Sequence, residues 1–163
     1  MDRDTFWSII NPLQERLFRF AVSILKNKED AQDAVHDVFE KLWYKRNNFN
    51  REKGVDAFVF KVMKNHCIDL LRKQKKLLEV DLISESIHVE SEYENKDLIE
   101  LIKHRFSQLP IQQRMVIELK DFQGYDYDEI SKIMDVPIST LRVILSRARK
   151  NVLKSIKNEI RGV

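Results

Sequence analysis

Apolar positions recur along this chain at helical rather than strand spacing. Phe6, Ile9, Ile10, Leu13, Leu17, Phe20, Ala21, Ile24 and Leu25 predict a first helix over residues 4–26, with Pro12 either starting it or kinking it. After the polar break 27–30, where Asn27 or Asp30 is the cap, a second helix is predicted over 30–46. Its buried stripe is Ala31, Ala34, Val35, Val38, Phe39, Leu42 and Trp43. A polar loop with Gly54 as hinge leads to a third helix from about Asp56 to Gln74, which Lys75 and Lys76 close. Residues 75–96 keep no period and carry scattered acids, as a flexible linker does. Periodicity returns at Leu98, Leu101, Ile102 and Phe106, stops at Leu109-Pro110, and resumes with Met115, Val116, Leu119 and Phe122 before the C-cap Gly124.

The last stretch is the most informative. Asp126 followed by Glu129 is a capping box, and Ile130, Ile133 and Met134 make one apolar stripe. Asp135-Val136-Pro137 ends that helix with a residue that tolerates the left-handed conformation and a proline that starts the next. The second helix turns Leu141, Leu145, Ala148 and Val152 inward and carries basic residues outside. A short helix, a tight turn and a basic helix predict a helix-turn-helix; an ordinary helical hairpin with solvated cations is the plainer reading.

The expected fold is therefore all-α: two small helical domains, 1–74 and 97–163, joined by an acidic linker, 75–96. With 3 Gly and 3 Pro among 163 residues, little interrupts the helices. Net charge is only +3, but it divides as +3 over 1–74, −5 over 75–100 and +5 over 101–163. Two basic blocks around an acidic tether suit two modules that face nucleic acid. The single Cys67 excludes an internal disulfide and a cysteine-based zinc site. No apolar run reaches the ~18 residues of a membrane span, and the acids Asp2 and Asp4 do not suit a signal peptide, so a cytoplasmic location is expected.

Three faces carry candidate chemistry. On the second helix Asp33, His36, Asp37 and Glu40 share one face, extended by Trp43 and Tyr44. A solvated acidic face and a partner-docking face both fit; a carboxylate-bundle metal site would need a matching motif on the facing helix, which offers only His66 and Asp69. The third helix is expected to expose Lys61, Lys64, Asn65, Arg72 and Lys73, cations for phosphates and an amide for a base edge. Of the aromatics nearby, Phe58 and Phe60 read more as core than as stacking platforms, whereas Phe49 sits in a polar loop. On the recognition helix, Ser139 and Thr140 suit phosphate, and Arg142, Val143, Ser146 and Arg149 lie where base edges are met. Arg147 and Lys150 add charge there, although the helix dipole favours cations in that half anyway. The four histidines lie in separate segments, no nucleophile is paired with a base, and nothing calls for a metal or cofactor.

Three segments, DAQDAVHDVFEKLW, FKVMKNHCIDLLRKQKK and LPIQQRMVIELKDFQGYDYDEISKIMDVPISTLRVILSRARKNV, occur in an order that resembles the extracytoplasmic-function sigma factors, the two-domain members of the main bacterial sigma family. The resemblance spans about residues 5–158. It implies a detachable subunit of RNA polymerase that directs initiation at chosen promoters. Asp33, His36 and Asp37 match the family's Asp, Gln and Glu that dock on the beta-prime coiled coil. Asn65 matches an Asn of the helix that grips the melted minus-ten element, and the helix-turn-helix would read the minus-thirty-five duplex. It further implies an anti-sigma partner that clamps both domains. Asp135 replaces a usual turn glycine, Ser139 a common Gly, and Val143 and Ile144 a polar-basic pair, so base preference does not carry over. The rival from another class is a stand-alone helix-turn-helix regulator on duplex DNA, which leaves the acidic face without a purpose; a helical adaptor that binds no DNA leaves the basic strip as an accident.

Overall fold

The computed structural model describes residues 1–49, 54–80 and 98–161, and among these every regular element is helical. Helix α1 (Arg3–Ile10) meets α2 (Gln14–Leu25) through a single 3-10 turn, Asn11–Leu13, with Pro12 inside it. Proline has no N–H to continue the α ladder, so the pattern of residues 4–26 is carried by a kinked pair rather than one rod. Lys26 leaves α2 in a left-handed conformation (φ 58°), and the Asn27 side chain then accepts the Asp30 N–H at 2.9 Å to cap α3 (Lys28–Tyr44). Gly54, at φ +84°, precedes α4 (Val55–Val80).

Helix α4 does not close at Lys75 and Lys76. It runs on to Val80, because lysine, leucine and glutamate all sustain a helix and no glycine or proline intervenes. The first residues expected of the linker are thus helical, and the rest of that expectation, 81–96, lies outside the described residues.

Helix α5 (Leu98–Ser107) is followed by α6 (Ile111–Ile117), whose last stretch, Glu118–Phe122, widens into a π turn. Gly124 (φ +75°) lets the chain reverse, with the Tyr125 N–H returning to the Leu119 carbonyl at 3.0 Å. Helices α7 (Tyr127–Met134) and α8 (Ile138–Arg161) complete the chain. The Asp126 carboxylate accepts the Glu129 N–H at 2.8 Å, and Asp135 takes φ 55°, so the cap and the left-handed turn are as the sequence predicts.

In the first half, the stripe of Phe6, Leu17, Phe20 and Ile24 packs on Ala34, Val38 and Leu42 of α3 and on Phe60, Met63 and Cys67 of α4. In the second half, Val116 and Leu119 meet Ile130 and Ile133 of α7 and Leu141, Leu145, Ala148 and Val152 of α8. The two halves are in contact: α6 lies against α2, and α7 lies across α4. At the seam the Tyr125 ring, only 5% exposed, meets Phe60 edge-on at 5.2 Å, and its hydroxyl donates to Asp56 at 3.0 Å. Arg16 stacks over the Tyr125 ring at 4.7 Å and donates to its hydroxyl oxygen. Arg114 reaches the end of α2, donating to the carbonyls of Ser23 at 2.7 Å and Ile24 at 3.1 Å, where the helix dipole favours a cation.

Candidate nucleic-acid interface

Helix α8 is positioned by its own apolar stripe. With Leu141, Leu145, Ala148 and Val152 committed to the core, Ser139, Thr140, Arg142, Val143, Ser146, Arg147, Arg149 and Lys150 are all exposed. The turn before it is fixed by the Ser131 hydroxyl, which donates to the Val136 carbonyl at 2.6 Å. Two of the arginines are not free. The Arg142 guanidinium lies 5.3 Å from the centre of the Tyr127 ring, and Lys120 lies 4.5 Å from the same ring, so one aromatic at the start of α7 braces a cation from each neighbouring helix. Arg149 donates through Nε and Nη2 to the two carboxylate oxygens of Asp121, at the end of the π turn. That contact raises the Arg149 pKa and occupies the forked edge with which an arginine reads guanine. Sequence reasoning missed Tyr127 and Asp121. Their spacing from the recognition helix carries no periodic signal.

The α4 face departs from expectation. Lys61 and Lys64 do not both stand in solvent: Lys64 is only 8% exposed, because α7 covers this side of the helix. Its burial pulls the ammonium pKa down, against the neighbouring Asp135 carboxylate that raises it. Asp135 lies 2.9 Å from the Lys61 ammonium and 4.0 Å from that of Lys64. Asn65 and Arg72 are exposed, with Arg72 3.9 Å from Asp69 one turn before it. Phe60 is wholly buried and Phe58 is 37% exposed. Phe49 is half-buried, stacked on Phe6 with ring centres 6.1 Å apart and meeting Phe58 edge-on at 5.6 Å, so one face of its ring is already covered.

On α3, Asp33, His36, Asp37 and Glu40 are exposed in a row, and Trp43 lies half-buried against Phe6 with the Arg46 guanidinium over its ring at 3.9 Å. His36 lines a shallow groove of about 360 Å³ with Asn11, Gln14, Phe18 and Gln32. Asp37 lies 3.3 Å from the His66 Nε2 of α4 without hydrogen-bond alignment, and Lys41 contacts the other ring nitrogen at 2.8 Å. Among the described residues no three His, Cys, Asp or Glu side chains gather as a metal site, and no helix is long and apolar enough to cross a membrane.

The geometry thus joins a helix-turn-helix with an exposed basic face to a second helical unit carrying an acidic row and a lysine-bearing helix. Comparison with known proteins finds the same pairing. Residues 9–77 match Sigma-70 region 2, and residues 99–152 match Sigma-70, region 4. The chain is 30% identical over 151 residues to the ECF RNA polymerase sigma factor SigM of Bacillus subtilis, covering 90% of each protein. Among solved structures it resembles the sigma factor RpoE in complex with the anti-sigma factor NepR from Bartonella quintana, with a TM-score of 0.79, 26% identity, and 94% of this chain and 97% of that one covered. It shares its fold with CnrH, solved in complex with the cytosolic domain of CnrY, at a TM-score of 0.72 and 18% identity over 96% of this chain and 90% of that one. A stand-alone regulator is not favoured, since that reading has no use for the region 2 match. The chain belongs to the extracytoplasmic-function sigma factors, and it directs promoter-specific transcription.

Proposed function

We propose that this sigma factor divides its work among the three faces described above. The unit 1–74 docks on the beta-prime coiled coil of core RNA polymerase through Asp33, His36, Asp37, Glu40 and Trp43. It also holds the melted minus-ten strand with Phe49, Lys61, Lys64, Asn65 and Arg72. The segment 75–96 is the tether. The unit 97–163 reads the minus-thirty-five duplex through Ser139, Thr140, Arg142, Val143 and Ser146, with Arg147, Arg149 and Lys150 supplying charge. Two weak DNA contacts held on one polymerase raise each other's effective concentration, and capture of unstacked bases drives melting without nucleotide consumption. The chain adds binding, and the polymerase supplies the chemistry; the sigma factor has no catalytic activity of its own and works in the cytoplasm. An anti-sigma factor is its natural antagonist, a reading supported by the likeness to RpoE, which was solved in complex with the anti-sigma factor NepR.

The observation that carries the docking role is the exposed row Asp33, His36, Asp37 and Glu40 on α3, which the fold itself leaves without a core purpose. Capture of core polymerase on the immobilised chain tests it. The double variant Asp33→Ala with Asp37→Ala is expected to retain the helical circular-dichroism spectrum and to lose most of the captured polymerase; undiminished capture would remove the docking role from this face.

A further inference from the structure

His66 of α4 stands between two charged residues of α3. Its imidazole is 11% exposed, with Asp37 3.3 Å from Nε2 and the Lys41 ammonium 2.8 Å from Nδ1. An ammonium has protons to donate and no lone pair, so the Nδ1 that faces it is the accepting nitrogen. Burial and the Lys41 charge favour the neutral ring, against Asp37 and Asp69, and the one proton of that ring then sits on Nε2. This nitrogen is closed to solvent and has no aligned acceptor, while Asp37 Oδ2 lies within reach of it after a small turn of either side chain. Asp37 and Lys41 are one turn apart on α3, an acid followed by a cation at i+4, the order in which such side chains pair directly. Here the ring comes between them. Each makes its contact with His66, and no direct ion pair joins the two.

We propose that His66 is a positioning residue of the docking face: it keeps Lys41 on Nδ1 and steers the Asp37 carboxylate with its Nε2 proton. The negative charge of Asp37 therefore stays available to a cation of the polymerase instead of being neutralised one turn along its own helix. This rests on the reading that Asp37 docks on core polymerase. The Asp37 side chain is 54% exposed, so an oxygen remains open to a partner while the other faces the ring. A carboxylate on a helix surface otherwise samples several rotamers, and holding one of them in advance removes that ordering cost from docking. An apolar side chain at position 66 would fill the same space, but it would let Asp37 and Lys41 close on each other. His66 lies on α4, outside the acidic row, and touches the partner only through Asp37.

The test uses the full chain and has two arms. The first reads the ring itself. In the long-range proton–nitrogen spectrum of the imidazoles above about pH 7, with His66 assigned by the signal lost in His66→Gln, the proton is expected on Nε2. A neutral ring protonated on Nδ1 would overturn the proposal. The second arm measures affinity for purified core RNA polymerase. His66→Asn, whose amide takes the place of Nδ1 and does not reach Asp37, is expected to weaken it about two- to ten-fold, within the span of coupling between residues in contact. His66→Gln, whose amide takes the place of Nε2, is expected to recover most of that loss. On an Asp37→Asn background, adding His66→Asn should cost little more. A loss as large on that background would show that His66 acts through packing alone and would end the positioning role. Should Asp37→Asn by itself leave the affinity unchanged while the ring keeps its proton on Nε2, it is the docking role of Asp37 that falls, and the positioning with it.

Discussion

Arg149 on α8 is held by Asp121, two of its N–H donors meeting the two carboxylate oxygens across 28 residues of sequence. The pair ties the recognition helix to the end of the π turn, and it leaves Arg142, which lies over the Tyr127 ring with no carboxylate across its fork among the described residues, as the better placed of the two to reach a base edge. Arg142→Ala is therefore expected to cost about 1–3 kcal/mol of binding to a cognate duplex and little on scrambled DNA. A loss equal on both, measured by fluorescence anisotropy, would make Arg142 a phosphate contact.

Asp121→Asn should act in the opposite sense. Releasing the Arg149 fork adds one cation to the DNA-facing strip, so duplex binding should tighten and the slope of log affinity against log salt should steepen by about one. The slope is the telling quantity, because a mere loosening of the fold would weaken binding instead.

Leu145 is almost wholly buried between α8 and its neighbours. Leu145→Ala is expected to destabilise the chain by about 2–5 kcal/mol in urea unfolding, the range for a leucine removed from a packed core. Asp126→Ala loses the cap on α7 and should cost about 1 kcal/mol.

Burial, with the Lys41 ammonium beside it, holds the His66 imidazole below its ordinary range, against Asp37 and Asp69, which act the other way. The folded pKa is depressed, so the unfolded chain takes up the proton first as pH falls. Stability should decline as pH drops below about 6.5 and through the folded pKa. His66→Gln should flatten that decline where it begins, near and below about pH 6.5 and above the carboxylate range. An unchanged slope of unfolding midpoint against pH would show that His66 is not its source.

Local chemistry was legible residue by residue. The Asp126 cap, the left-handed Asp135, the break at Pro12 and the inward set Leu141, Leu145, Ala148 and Val152 all follow from preferences acting within a turn or two of helix. The family resemblance rests on the same local runs. What the pattern does not encode is which exposed face meets which. Lys64 reads as a solvent-facing cation on its own helix and is buried only because α7, some 70 residues on, lies over it. Asp121 and Tyr127 read as ordinary surface residues until the fold sets them against Arg149 and Arg142. Phe49 stands in a polar stretch and still finds Phe6 through the folding of α1 against the end of α3. Helix length was underestimated at α4 for a simpler reason, since paired lysines do not stop a helix.

Run-off transcription with purified core RNA polymerase is the most direct measurement. Adding this chain to core enzyme on a pool of genomic fragments should produce discrete promoter-dependent transcripts that core enzyme alone does not make. The double variant Asp33→Ala with Asp37→Ala should reduce their yield. The absence of any chain-dependent transcript across the pool, with a polymerase proven active by another sigma factor, would contradict the assignment of this chain as a working initiation factor.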